Sequence, residues 1–196
     1  MAEKYSGTRF ETVFEKKSVP ETDEKAGSLV KWCRIFAEMR LSQKIGKGYS
    51  GNLSYRTKKG FIITGTAVSF EKLTKKDLVE VVSCDEKTRQ VRVTGIIEPS
   101  SEAFMHSMVY NARPEVNAVF HLHDKKVVEN AEKMGLPITK DLPYGSIERA
   151  KNAAKTLEGT NYIVINGEGM LATGATIEEA ALLTLEKYKN AQKIRK

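Results

Sequence analysis

Cysteine is nearly missing from this sequence: Cys33 and Cys84 are the only two in 196 residues. Two thiols cannot build a disulfide framework, so the expectation is a pair of reduced cysteines in a cytoplasmic protein. Long hydrophobic runs are missing as well. None approaches the roughly 18 residues of a membrane span, so no membrane partner is expected. The opening stretch, MAEKYSGTRFETVFEKK, mixes acids with bases and holds no apolar core, which argues against a signal peptide. Internal repeats and low-complexity tracts are absent. So is any long basic block with interleaved aromatics, although 32 Lys and Arg against 25 Asp and Glu leave a net charge of +7. The one local surplus, Lys187, Lys189, Lys193, Arg195 and Lys196, complements the C-terminal end of a helix. Nucleic acid is therefore not an expected partner, whereas a positive field suits an anionic small molecule.

What is present is a globular composition, 40% hydrophobic and 29% charged, in a chain long enough to bury one core without staples. Residues 1–25 are polar and broken by Pro20. They read as a loosely packed N-terminal arm with room for one short helix, ahead of a single domain over 26–196. Leu29, Trp32, Cys33, Phe36 and Met39 recur at three- and four-residue steps and predict a helix over 27–42. Residues 53–56 and 61–64 predict a hairpin around Lys58-Lys59-Gly60, and 78–83 with 90–94 predict another. A helix starts at the Pro99-Ser100-Ser101-Glu102 turn, with Ser100 as its expected N-cap, and runs to Ala112. Strands follow at 116–122, 161–165 and 170–172. Helices follow at 124–134, 145–157 and 177–194. Hairpins followed by alternating helices and strands give an α/β sandwich with a mixed or mainly antiparallel sheet.

Only three histidines occur, His106, His121 and His123, all within 18 residues of each other. His121-Leu122-His123 ends a predicted strand. Residues two apart on a strand share a face, so both imidazoles can address one metal ion. The alternative is an incidental pair. At Pro99-Ser100-Ser101-Glu102, two hydroxyls and free backbone N–H groups converge on a helix start. That is an anion site with Glu102 as a candidate base, or else ordinary capping. Gly51-Asn52-Leu53-Ser54 and Thr64-Gly65-Thr66 put glycines and small hydroxyls at strand ends. Backbone amides there can approach an oxyanion, or the segments are simply turns.

Taken in order, the blocks SGNLS, IITGTAVSFEKLT, EPSSEAFMHSMVYNARPEVNAVFHLHD, LPYGS and INGEGMLATGATIEEAALLTLEKY resemble the class II aldolase/adducin family, its fuculose-phosphate aldolase branch in particular. The resemblance implies a three-layer α/β/α sandwich with a mainly antiparallel central sheet, commonly assembled as a cyclic homotetramer. It implies a divalent metal, usually Zn2+, held by His121 and His123 together with a third histidine from an NHG motif. Glu102 would be the catalytic acid/base. Phosphate would sit on Gly51, Asn52, Thr66, Ala67, Ser100 and Ser101, with Ala67 standing where the family often has glycine. The implied reaction is metal-dependent cleavage of a ketose 1-phosphate, a phosphorylated sugar, to dihydroxyacetone phosphate and an aldehyde. Glu at position 102 favours this over the related epimerases, which usually carry Asp. Other family members implied as alternatives are a methylthioribulose-phosphate dehydratase, a decarboxylase, and adducin-like interaction domains that lack the metal ligands.

The sequence departs from that pattern in three places. Aligning NGEG on NHG puts Glu168 where the third histidine stands. Two histidines and one carboxylate are an acceptable zinc set. The anionic ligand weakens the Lewis acid or favours a harder ion such as Mn2+. The alternative is a solvated loop residue at 168. The stretch between HLHD and LPYGS is short, and nothing in it matches the tyrosine that protonates the aldehyde in the family; Tyr144 reads as a packing residue. No counterpart of the family's C-terminal tail is expected beyond Lys196. His106, one helical turn after Glu102, reads as a structural residue that hydrogen-bonds a site group.

Overall fold

The computed structural model describes residues 10–194. Their strands, in chain order, are β1 Glu11–Lys16, β2 Lys44–Ile45, β3 Gly48–Tyr49, β4 Asn52–Arg56, β5 Phe61–Thr64, β6 Leu78–Asp85, β7 Gln90–Thr94, β8 Ala118–Leu122, β9 Tyr162–Ile165 and β10 Gly169–Gly174. The short β2 and β3 form a ribbon of their own. The rest form one sheet in the order β1-β7-β6-β5-β4-β8-β10-β9. Among the described residues, every pairing in it is antiparallel except β1 with β7, which is parallel.

Helices cover both faces. One face carries α1 Lys25–Glu38, the short α3 Lys125–Glu129 and α5 Ile177–Lys193; the other carries α2 Ala103–Ala112 and α4 Ile147–Thr156. Strand alternation divides the core accordingly. Ala118, Phe120 and Leu122 of β8 pack beneath α1 and α5, while Val119 packs on the α2 side. Leu53 and Tyr55 of β4, with Met170 and Ala172 of β10, obey the same rule. Burial on both faces explains why β8 reads as apolar on both sides, apart from His121, instead of alternating with polar residues. The architecture is the three-layer α/β/α sandwich with a mainly antiparallel sheet that the sequence implies.

Three local readings are corrected. Residues 11–16 are not a loose arm with a short helix: they form an edge strand whose partner, β7, lies far away in sequence, so no local pattern announces it. Residues 1–9 of that stretch lie outside the described residues. The helix expected over 124–134 stops at Glu129, and turns carry the chain on to Gly135. Ser100 is not the N-cap of α2. The backbone N–H of Ser100 bonds the Thr64 carbonyl at 3.1 Å and Pro99 bridges Gly65, so the segment runs beside β5 before turning. Glu102 takes the cap position, its own N–H donating to Ser100 Oγ at 3.3 Å.

Candidate active site

The three strands β4, β8 and β10 are in register where the chemistry gathers: His121 pairs with Asn52 on one side and Leu171 on the other. His121 and His123 share the α2 face of the sheet with Asn52 and Ser54. Glu168 arrives from the β9–β10 hairpin, whose loop is Asn166-Gly167-Glu168 with Gly167 left-handed at φ 71°. Gly169, the next residue, lets the hairpin close on β8, because a Cβ there would strike the Leu122 carbonyl. Glu168 is buried, so it is no solvated loop residue.

His123 Nε2 and His121 Nε2 lie 3.0 Å apart, and Glu168 Oε1 is 3.6 Å from His121 Nε2 and 3.8 Å from His123 Nε2. Ligands on one tetrahedral ion at ~2.0–2.1 Å sit roughly 3.3 Å from each other, so the trio has the spacing of a shared divalent ion. An orphaned atom makes the fit specific. Glu168 Oε1 is buried and accepts no hydrogen bond among the described residues, although its neighbours are two imidazole nitrogens. His121 Nδ1 lies 3.0 Å from the Met170 carbonyl, an N–H···O contact that leaves Nε2 facing the cluster.

The titration behaviour reflects the same crowding. Burial by itself would lower the His121 imidazole, but the Glu102 and Glu168 carboxylates outweigh it and lift it to about 9. Burial and the charge of His121 push His123 down to about 3. Burial would raise the Glu168 carboxyl, but His121, His123 and Arg149 bring it down to about 2. Burial raises Glu102, with His121, Asn52 and Arg149 opposing. His121 thus carries a positive charge beside Glu168, whose other oxygen is bonded by the Arg149 guanidinium.

Glu102 Oε2 sits 3.3 Å from His121 Nε2 and accepts from Asn52 Nδ2 at 2.9 Å. Asn52 Oδ1 lies 2.6 Å from His106 Nε2, and His106 Nδ1 lies 2.6 Å from Ser54 Oγ. His106 is therefore a buried member of the chain that holds Glu102, as its spacing from Glu102 suggests. One cleft is lined by Gly51, Asn52, Thr66, Ala67, Ser100, Ser101, Glu102, His123 and Glu168, with His121 beneath its floor. The anion-site blocks meet there because β5 and the 98–100 segment pair, Thr66 N–H bonding the Glu98 carbonyl at 3.0 Å. Ala67 has φ 58°, the left-handed conformation that explains why glycine suits this position.

Two residues of the site are not disclosed by sequence patterns. Tyr144 is no mere packing residue: its hydroxyl is 2.7 Å from Ser101 Oγ and it lines the cleft. Arg149 carries no sequence signal at all, yet its guanidinium bonds Glu168 Oε2. It sits 19 residues upstream of Glu168 on another element, so only the tertiary fold reveals it.

Residues 28–193 match the Class II Aldolase and Adducin N-terminal domain family. A 5-methylthioribulose-1-phosphate/5-deoxyribulose-1-phosphate aldolase of Escherichia coli is 28% identical over 177 residues, 82% of this chain and 78% of the relative. An L-fuculose phosphate aldolase of Methanococcus maripaludis is 30% identical over 170 residues, 79% and 87% of the two chains. The solved structure of an L-fuculose 1-phosphate aldolase superposes with a TM-score of 0.72 at 25% identity, covering 90% of this chain and 86% of that one. Class II aldolases depend on divalent metals, and the His121, His123 and Glu168 cluster supplies a site for one. With the relatives, this makes the chain an enzyme, a lyase of the aldolase type. From sequence, architecture and site together, the chain belongs to the class II aldolase and adducin N-terminal domain family.

Proposed function

We propose that this aldolase cleaves a ketose 1-phosphate to dihydroxyacetone phosphate and a small aldehyde. One observation carries the reading. A buried carboxylate, Glu102, lies 3.3 Å from His121 Nε2 in the same cleft as Ser100, Ser101, Thr66 and the Gly51 turn. An acid/base group and a hydroxyl- and amide-rich anion cradle thus address one substrate from two ends. A divalent ion on His121, His123 and Glu168, taken here as Zn2+, supplies Lewis acidity for the substrate's carbonyl and hydroxyl oxygens.

Retro-aldol cleavage breaks the C3–C4 bond. The C4 hydroxyl gives its proton to the ionised Glu102 carboxylate and becomes the aldehyde, and the bonding pair moves to C3 as an enediolate. Glu102 returns a proton to C3, giving dihydroxyacetone phosphate. Burial favours the protonated carboxyl and Asn52 fixes its orientation, which suits a group that must deliver a proton. Ser100, Ser101 and the 66–67 turn would anchor the phosphate and hold C3 against Glu102. Tyr144 fixes the Ser101 hydroxyl at 2.7 Å.

The relatives' names leave the sugar open between a fuculose and a 5-deoxy or 5-methylthio ribulose phosphate. The short segment between HLHD and LPYGS, residues 125–141, supports the smaller aldehyde. A non-catalytic adducin-like role fits poorly with a cluster that retains an orphaned carboxylate oxygen beside two histidines. The reading carries with it a homotetramer in the cytoplasm. Among the described residues, no helix is long and apolar enough to cross a membrane.

The test is a cleavage panel of fuculose 1-phosphate and 5-deoxyribulose 1-phosphate, following dihydroxyacetone phosphate with a coupled reductase. At least one sugar is expected to be cleaved, and Glu102→Gln is expected to lose about 10²–10⁴-fold in kcat with metal still bound. Wild-type activity retained in Glu102→Gln would refute the assigned role.

A further inference from the structure

Arg149 does not belong where it stands on grounds of helix stability. It occupies the first turn of α4, where Ser146 Oγ caps its backbone N–H at 3.1 Å. The N-terminal end of a helix is electropositive and disfavours a cation. The residue is also buried, and a buried guanidinium needs partners. Its Nη1 donates to the Leu142 carbonyl at 3.3 Å, its Nη2 donates to Glu168 Oε2, and its guanidinium carbon lies 5.9 Å from the Tyr144 ring centroid.

The pairing with Glu168 is lopsided. A guanidinium fork can hold both oxygens of a carboxylate. Here it takes Oε2 alone, and Oε1 is left buried with no hydrogen bond among the described residues, turned towards His121 and His123. A carboxylate placed only to neutralise Arg149 would have no reason to spare an oxygen in this way.

We propose that Arg149 is a positioning residue for the metal centre, occupying one oxygen of Glu168 so that the other is presented as a single donor beside the two histidines. It also offsets the negative charge that Glu168 brings to the site. Arg149 and Glu168 then act as one unit: each suits the site only when the other is present. This rests on the metal reading of the His121, His123 and Glu168 cluster.

Such a unit makes a distinctive prediction. Removing Arg149 weakens metal binding when residue 168 is Glu, because the carboxylate loses its anchor. Removing it strengthens metal binding when residue 168 is His, because an imidazole cannot neutralise the guanidinium and the unpaired cation then repels the ion. The experiment measures Zn2+ affinity by competition with a chromophoric chelator. It uses the full chain as wild type, Arg149→Met, Glu168→His and the double variant, with melting temperatures of each apo protein.

Arg149→Met is expected to bind Zn2+ about 10–100-fold more weakly than wild type. Glu168→His is expected to lose at least as much, and the double variant to recover most of that loss. If Arg149→Met does not fold, the comparison of Glu168→His with the double variant still decides. Equal loss in both backgrounds, as a purely structural role would give, overturns the proposal and leaves the metal centre standing. Failure of the wild type to bind Zn2+ overturns the metal reading and this inference with it.

Discussion

Asn52 spends both ends of its amide on one task. Its Nδ2 donates to Glu102 Oε2, so its Oδ1 must accept, and the hydrogen on His106 must sit on Nε2. His106 Nδ1 then accepts from Ser54 Oγ, which in turn accepts from the Tyr110 hydroxyl at 2.8 Å. The buried chain has only one sense, ending at the carboxylate. Its stability depends on a neutral His106, which burial, with the charge of His121, pushes down to about 3. The unfolded imidazole titrates near ~6.5. His106 therefore contributes its full stability above that pH. Between about 6.5 and 3 the unfolded chain takes up a proton that the folded one refuses, and stability falls as pH drops. Besides His121, the titratable groups facing it through the chain are Glu102 and Tyr110. Urea unfolding between pH 7 and 4 is expected to show wild type losing about 1.4 kcal/mol per pH unit more than His106→Gln. Equal slopes would mean that His106 is not buried neutral. The same variant is expected to keep its metal and lose kcat, since it loosens Glu102 and not His121.

At the scale of elements, the cleft is shaped by two turns with left-handed backbones. Gly51 has φ 84°, and a Cβ there would meet the His121 carbonyl at 3.0 Å. Ala67 adopts φ 58° although it has a Cβ. The two positions predict opposite outcomes for mirror-image substitutions. Gly51→Ala is expected to cost about 1–2 kcal/mol, and Ala67→Gly to be neutral or stabilising by up to about 1 kcal/mol. Thermal melts of the pair check this, and destabilisation by both would contradict the backbone account. Elements also show where local patterns stop being informative. The spacing of β8 places His121 and His123 on one face because alternation is a local property. The start of α2 falls two residues later than its capping pattern suggests, because long-range pairing draws Ser100 to β5 and outranks its preference for capping. β1 leaves no local trace because its parallel partner lies across the chain and its own residues are only partly buried.

Across the whole molecule, two cores on opposite faces of one sheet hold the central strands rigid, and the cleft opens where β4, β8 and β10 end near the start of α2. Sequence blocks far apart in the chain carry recognisable residue types, so Glu102, His121, His123 and the glycine- and serine-rich turns are legible from residue order alone. Glu168 is legible as the occupant of a position, but not its burial or its bare oxygen. Arg149 and the site role of Tyr144 are not legible, because their meaning lies in contacts with residues of other elements. In the proposed function, one divalent ion on His121, His123 and Glu168 is what lets this fold cleave a ketose phosphate. The most direct measurement strips the protein with a chelator and titrates Zn2+ back while following release of dihydroxyacetone phosphate from a ketose 1-phosphate. No cleavage is expected from the stripped protein, and a linear rise that breaks at about one ion per chain, the stoichiometry of a single three-residue ligand set with a position left for substrate. Cleavage undiminished in the stripped protein, or none at any Zn2+ loading across the sugar panel, would contradict it.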